Sequence, residues 1–195
     1  MKKSIVINLM GGPGAGKSTM ASLLFAKLKM QGVLCEYVTE YAKDMVWENR
    51  YNILNDQLYI LAKQFRRLNR INGEVDVIIT DSPLLASLYY NSAIQNPADR
   101  INEATLKSLI LELNGKFDNF YFFVERNHKY EQQGRYQTED ESIVVAKKIR
   151  EMLDGLNINY KILPSGEPSV DYIVSEVKGV LNAKKNLSNS TERVW

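Results

Sequence analysis

One cysteine, Cys35, and one histidine, His128, are all that the chain holds of the two residue types that build disulfides and most zinc sites. No intramolecular disulfide can form, so a disulfide-built secreted scaffold is excluded, and no His/Cys zinc cluster can be assembled from these residues. Imidazole catalysis would fall on His128 alone, which turns attention to carboxylates, lysine, arginine and a metal ion. Long hydrophobic runs are missing too. The apolar stretch near the start, residues 5–10, contains Asn8 and ends in glycines, so it reads as a strand rather than a signal peptide. Nothing approaches the roughly 18 to 20 apolar residues of a membrane span, and the expectation is a soluble, cytoplasmic protein. Nor is there an excess of one charge. The 25 Lys and Arg stand against 23 Asp and Glu, a net of +2 that gives no molecule-wide field for a polyanion.

What is present is an ordinary globular composition: 195 residues, 45% hydrophobic and 25% charged, enough for one well-packed domain. Short β-rich runs alternate with longer helical ones, the pattern of an α/β fold with a mainly parallel sheet. Strands are expected at residues 5–9, 34–39, 75–80, 120–124 and 160–163. The first helix is expected at 17–30, with Ala21, Leu24, Phe25 and Leu28 on one apolar face, and Gly32 as its stop. A long helical region at 41–71 reads as interrupted near 49–54 and closed by Asn72-Gly73. Further helices are expected at 84–94, 102–113, from Thr138 to about 153, and at 168–181. Thr138 with Glu141 three residues on forms a capping box. Residues 1–184 read as a single domain and 185–195 as a flexible tail, the polar, frayed segment beginning at Asn182.

Between the first strand and first helix lies Gly11-Gly12-Pro13-Gly14-Ala15-Gly16-Lys17-Ser18, a full match to G-x-x-x-x-G-K-[ST], followed by Thr19. Glycines let backbone N–H groups turn inward around a phosphate, and the helix directs its positive end at the same place. Lys17 can reach β and γ phosphates, and Ser18 can ligate magnesium. ATP and Mg2+ are the ligands this implies.

The motif, with TEYAKDMVWE at 39–48, ITDSP at 79–83 and RNHKYEQQGRYQTEDE at 126–141, resembles the P-loop nucleoside and nucleotide kinase group. It is most similar to the ribosylnicotinamide kinase domain and its phage and bacterial AAA-type ATP-binding relatives. The resemblance implies a P-loop NTPase fold with a five-stranded sheet and an arginine-bearing lid, here residues 125–137. Glu40 follows the second strand and Asp81 the third, so both carboxylates come to the carboxyl edge of a parallel sheet, beside the loop. By the resemblance, Glu40 is the general base and Asp81 holds magnesium, with the reverse left open. The competing reading of each acid is a helix N-cap. Arg126 and Arg135 are the lid arginines that would stabilise charge on the transferred group, Arg135 favoured because Gly134 can hinge; His128 reads as a solvated lid residue.

The acceptor region is expected at residues 40–72, with Tyr41, Asp44, Trp47, Gln57 and Gln64 as candidates to stack on a base, read its edge or hold ribose hydroxyls. The expected activity is Mg-dependent transfer of the ATP γ-phosphoryl to a nucleoside hydroxyl, nicotinamide riboside or a similar nucleoside favoured. A nucleoside monophosphate kinase, or a kinase of a modified base or a nucleic-acid hydroxyl, is the near alternative. A P-loop ATPase or switch acting through a protein partner is the alternative of another class. The expected partner is a small molecule, without a membrane, with nucleic acid not favoured and a homodimer left open.

Overall fold

The computed structural model describes residues 2–131 and 138–191. Strands β1 (Ile5–Met10), β2 (Cys35–Val38), β3 (Val77–Thr80), β4 (Asp118–Glu125) and β5 (Tyr160–Pro164) form one sheet in the order β2-β3-β1-β4-β5. All four pairings are parallel. Helices α1 (Lys17–Met30), α2 (Tyr41–Trp47), α3 (Gln57–Asn69), α4 (Ala86–Ala93), α5 (Glu103–Asn114), α6 (Glu139–Gly155) and α7 (Glu167–Thr191) make the crossovers and the last segment.

Strand alternation divides the core between two faces. Ile5, Ile7 and Leu9 of β1 pack with Leu24 and Leu28 of α1 and with Val170, Ile173 and Val177 of α7. Val6 and Met10 point the other way, among Leu61 and Leu68 of α3, Ile110 of α5 and Val145, Ile149 and Leu153 of α6. Asn8 falls on the second face and is buried, yet satisfied: its amide donates to Asn119 Oδ1 at 2.9 Å and to the Val6 carbonyl at 3.1 Å. Each fully buried leucine or isoleucine in these layers contributes about 1.5–3 kcal/mol relative to exposure.

The interruption expected near residues 49–54 is a turn through Asn49, at φ 56°, into a 3-10 segment, Tyr51–Asn55; Asp56 then caps α3 by accepting from the Tyr59 N–H at 3.0 Å. Thr138 and Glu141 form the expected capping box. The C-terminal expectation is corrected. Instead of ending at 181, α7 runs to Thr191; no glycine or proline interrupts 182–191, and Lys184 pairs with Asp118 at 2.5 Å on the surface. No helix among the described residues is long and apolar enough to cross a membrane.

Candidate active site

The Gly11–Ser18 loop leaves β1 at the centre of the sheet and enters α1. Gly11 has φ +143°, and a side chain there would put Cβ 2.7 Å from the Val124 carbonyl oxygen of β4, so the loop's approach to the sheet admits only glycine. Gly16 caps α1 in the left-handed region, at φ 87°, with no side-chain cap bond and no acid in the first helical turn. Neither a side-chain cap nor an acid in the first turn of α1 itself competes for its first N–H groups, which fits a phosphate. Lys17 Nζ donates to the Gly11 and Gly12 carbonyls at 3.0 and 2.9 Å, holding the ammonium at the loop mouth.

Ser18 Oγ donates to Asp81 Oδ2 at 2.6 Å. Asp81, just past β3, is 6% exposed, and its Oδ1 is buried without a hydrogen-bond partner among the described residues. A hydroxyl beside a carboxylate with an uncommitted oxygen suits Mg2+, which takes oxygen ligands, keeps several waters and needs only one or two protein groups beside the phosphates. No cluster of three or more His, Cys, Asp or Glu that would hold a metal unaided exists among the described residues.

Glu40 is the N-cap residue of α2, but its side chain makes no cap hydrogen bond, so the capping role that its position allows is not the one it performs. Burial raises its carboxyl above the usual glutamate range; Lys17 opposes the rise and Asp81 adds to it. Those two causes place Glu40, Lys17 and Asp81 within one another's electrostatic reach, as an edge of parallel strands requires.

Two tyrosines join this group without having been anticipated. Tyr37 stands across from Ile79 in the β2–β3 register and packs on the α1 side. Its hydroxyl faces Asp81 and Ser18, and burial first, then the Asp81 charge, push its ionisation far above the usual phenol range, so it remains a proton donor. Tyr90 of α4 is raised in the same way by burial and then by Glu40. Strand alternation offers a signal for Tyr37, since it shares a face with Cys35; no local pattern marks Tyr90.

Beyond the end of β4, Arg126 follows the strand directly. Its guanidinium pairs with Glu139 Oε1 at 2.8 Å, lies 4.9 Å from the Tyr130 ring centroid, and keeps a buried Nη1 without an acceptor among the described residues. Ser142 of α6 donates to the Pro13 carbonyl at 2.6 Å, so that helix is tied to the phosphate loop. A cleft of about 520 Å3 opens there, lined by Gly12, Pro13, Ala15, Arg126, Ser142 and Arg150 among others. His128 is exposed, with Nδ1 2.9 Å from the Lys129 carbonyl oxygen. Arg135 and Gly134 lie outside the described residues.

The acceptor candidates divide. Gln64, 3% exposed, accepts from the Tyr41 N–H at 3.0 Å and donates to the Thr39 carbonyl and Thr80 Oγ1, each at 3.4 Å. It braces the ends of β2 and β3 around Glu40 instead of offering a free amide. Tyr41 donates its hydroxyl to Tyr59 at 3.0 Å, and Asp44 forms an ion pair with Arg67. Gln57 is buried, donates to the Leu54 carbonyl at 2.7 Å, and keeps Oε1 without a partner among the described residues. Trp47 is 73% exposed and Tyr51 50%, on the rim of this region.

A family model described as an AAA domain matches residues 6–169, from β1 into α7. No curated protein matches the chain. Among solved structures, thymidylate kinase from Candida albicans superposes with a TM-score of 0.53 at 16% identity, over 94% of this chain and 93% of that one. Thymidylate kinase from Ehrlichia chaffeensis gives 0.55 at 17%, over 92% and 99%. The NadR protein in complex with NR gives 0.59 at 16% over 83% of this chain, which spans only 43% of that longer protein. With the loop and the two strand-end acids already in place, the match over most of its length means that the chain belongs to the AAA domain family, on the P-loop α/β fold that it shares with the two thymidylate kinases and the NadR protein.

Proposed function

We propose that this protein transfers the γ-phosphoryl group of ATP to a hydroxyl of a nucleoside-type small molecule, with Mg2+ required. The observation that carries the reading is the meeting of Lys17, the Ser18–Asp81 pair and a half-buried Glu40 at one edge of the sheet. Phosphoryl transfer asks for this: positioning and charge placement around the phosphates, and a base for the attacking hydroxyl.

The roles follow from surroundings. Asp81 is engaged with Ser18, and together they would hold magnesium, which would supply positive charge to neutralise the phosphates. Glu40 makes no competing cap bond and has its proton affinity raised, which suits it to accept the proton of the acceptor hydroxyl. As that oxygen bonds to the γ-phosphorus, the bond to the β–γ bridging oxygen breaks and ADP departs. Lys17 places the β and γ phosphates, and Arg126, joined by Arg135 in our reading, balances the charge on the group in flight. The preferred acceptor is nicotinamide riboside or a similar nucleoside, supported by the resemblance of the TEYAKDMVWE and ITDSP segments and by a solved neighbour on the same fold that holds NR.

ATP turnover measured with Mg2+, with and without a panel of nucleosides, tests this reading. Hydrolysis should stay slow until an acceptor is added, and a phosphorylated nucleoside should then accumulate. Rapid hydrolysis that no nucleoside changes would instead identify an ATPase or switch.

A further inference from the structure

Resting on that acceptor reading, we infer that the Asp44–Arg67 ion pair selects for an uncharged acceptor, and that Asp44 is the residue that keeps phosphorylated nucleosides out. An acceptor bearing a phosphate brings negative charge towards Glu40 and Asp81, so binding it requires a cation on the acceptor side of the cleft. Helix α3 carries two arginines, Arg66 and Arg67, and Arg70 is its C-cap. Arg66 and Arg70 are exposed, whereas Arg67 is half-buried and turned onto the start of α2. It grips the residues on both sides of Glu40: Nη1 donates to the Thr39 carbonyl at 3.2 Å and to Thr39 Oγ1 at 3.4 Å, and the guanidinium carbon lies 5.0 Å from the Tyr41 ring centroid.

The remaining face of that guanidinium is taken by Asp44, which pairs with Nη2. Asp44 lies one helical turn beyond Glu40, on the same side of α2. It has two effects. It occupies the fork that would otherwise clamp a phosphate, and it adds a third carboxylate to a region that already holds Glu40 and Asp81. Lys43, also beside Glu40, is exposed and bound to a flexible stem, which makes it a poor substitute for a rigid fork. A ribose, by contrast, brings hydroxyl donors that carboxylates welcome. The pair thus rewards a neutral polyol and opposes its phosphorylated form.

The test compares binding of nucleosides and of their 5′-monophosphates, nicotinamide riboside and thymidine among them, by titration calorimetry with Mg2+ and a non-hydrolysable ATP analogue. The unmodified protein should bind the nucleoside of a pair at least about tenfold more tightly. Asp44→Asn should tighten the monophosphate about tenfold or more, the worth of a charge-assisted bond gained, and Arg67→Gln added to it should remove the gain. Asp44→Asn that melts like the parent and leaves the ratio within about twofold overturns the inference, as does an unmodified protein that prefers monophosphates. Should Asp44→Asn fail to fold, Arg67→Gln alone decides: an unchanged monophosphate affinity supports the inference, and a loss shows that Arg67 already serves a phosphate and overturns it. An altered ratio concerns this inference alone, whereas an unmodified protein that binds neither form of any pair removes the acceptor site and both readings with it.

Discussion

The donor side and the acceptor side of the cleft are built from different materials. Around the loop, backbone sets the shape: Gly11 is held against β4 and the helix starts without a side-chain cap, joined by one short side-chain bond, Ser18–Asp81, above a buried layer. Across the cleft, α2, a 3-10 segment and α3 present the side chains proposed to meet the acceptor, with Trp47 and Tyr51 exposed at the rim. Backbone recognition suits a ligand group that never varies, and exchangeable side chains suit one that does. Triphosphate binding should thus be intolerant of change, and acceptor binding adjustable.

The largest effect to expect comes from the donor side. Lys17→Ala should reduce phosphoryl transfer to background, because the β and γ phosphates lose the one lysine that the loop presents; turnover close to the parent's would remove the basis of the comparison. Glu40→Gln stands at the junction of the two halves. It should lower turnover by about 100- to 10,000-fold while leaving ATP affinity nearly as it was. If Asp81→Asn, and not Glu40→Gln, gives this pattern, the roles are reversed.

Glu40→Gln should also raise the melting temperature at neutral pH. The folded-state carboxyl holds its proton more tightly than the unfolded one, so stability is fully present below the unfolded value and is lost as pH rises through the raised folded one. A neutral isostere avoids that loss. By the same sign, turnover by the unmodified protein should fall on acidification from a higher pH than an ordinary glutamate would dictate. The smallest effect is Trp47→Ala: at 73% exposure it should change stability by no more than about 0.5 kcal/mol, yet weaken the acceptor KM severalfold with kcat little changed. A melting point several degrees lower would place Trp47 in the packing and not in recognition.

The same division explains what could be read from the chain. The phosphate loop, the bounds of α1 and the Thr138–Glu141 box are short-range patterns whose physics lies in adjacent residues. The meeting of Glu40 and Asp81 was legible one level up, since parallel strands bring their ends to one edge. What escaped was tertiary. Gln64 looks like a base-reading amide until the ends of β2 and β3 close around it. Glu139, the partner of Arg126, looks like an ordinary first-turn acid of α6. Tyr90, fifty residues on in α4, comes within electrostatic reach of Glu40, and Lys184 of α7 pairs with distant Asp118.

The sheet order has a further consequence, for what shapes the loop. Strand β1 is the central one: it is bonded to β3 and to β4, whose residues Asp118–Phe123 lie more than a hundred positions further along the chain. Gly11 rests against Val124 of that distant strand, Pro13 accepts its bond from Ser142, and α1 packs beneath α7. Such long-range closure is slow and cooperative. A motif legible in eight adjacent residues therefore owes its shape to strands and helices more than a hundred positions away, and the geometry of the loop depends on the whole domain.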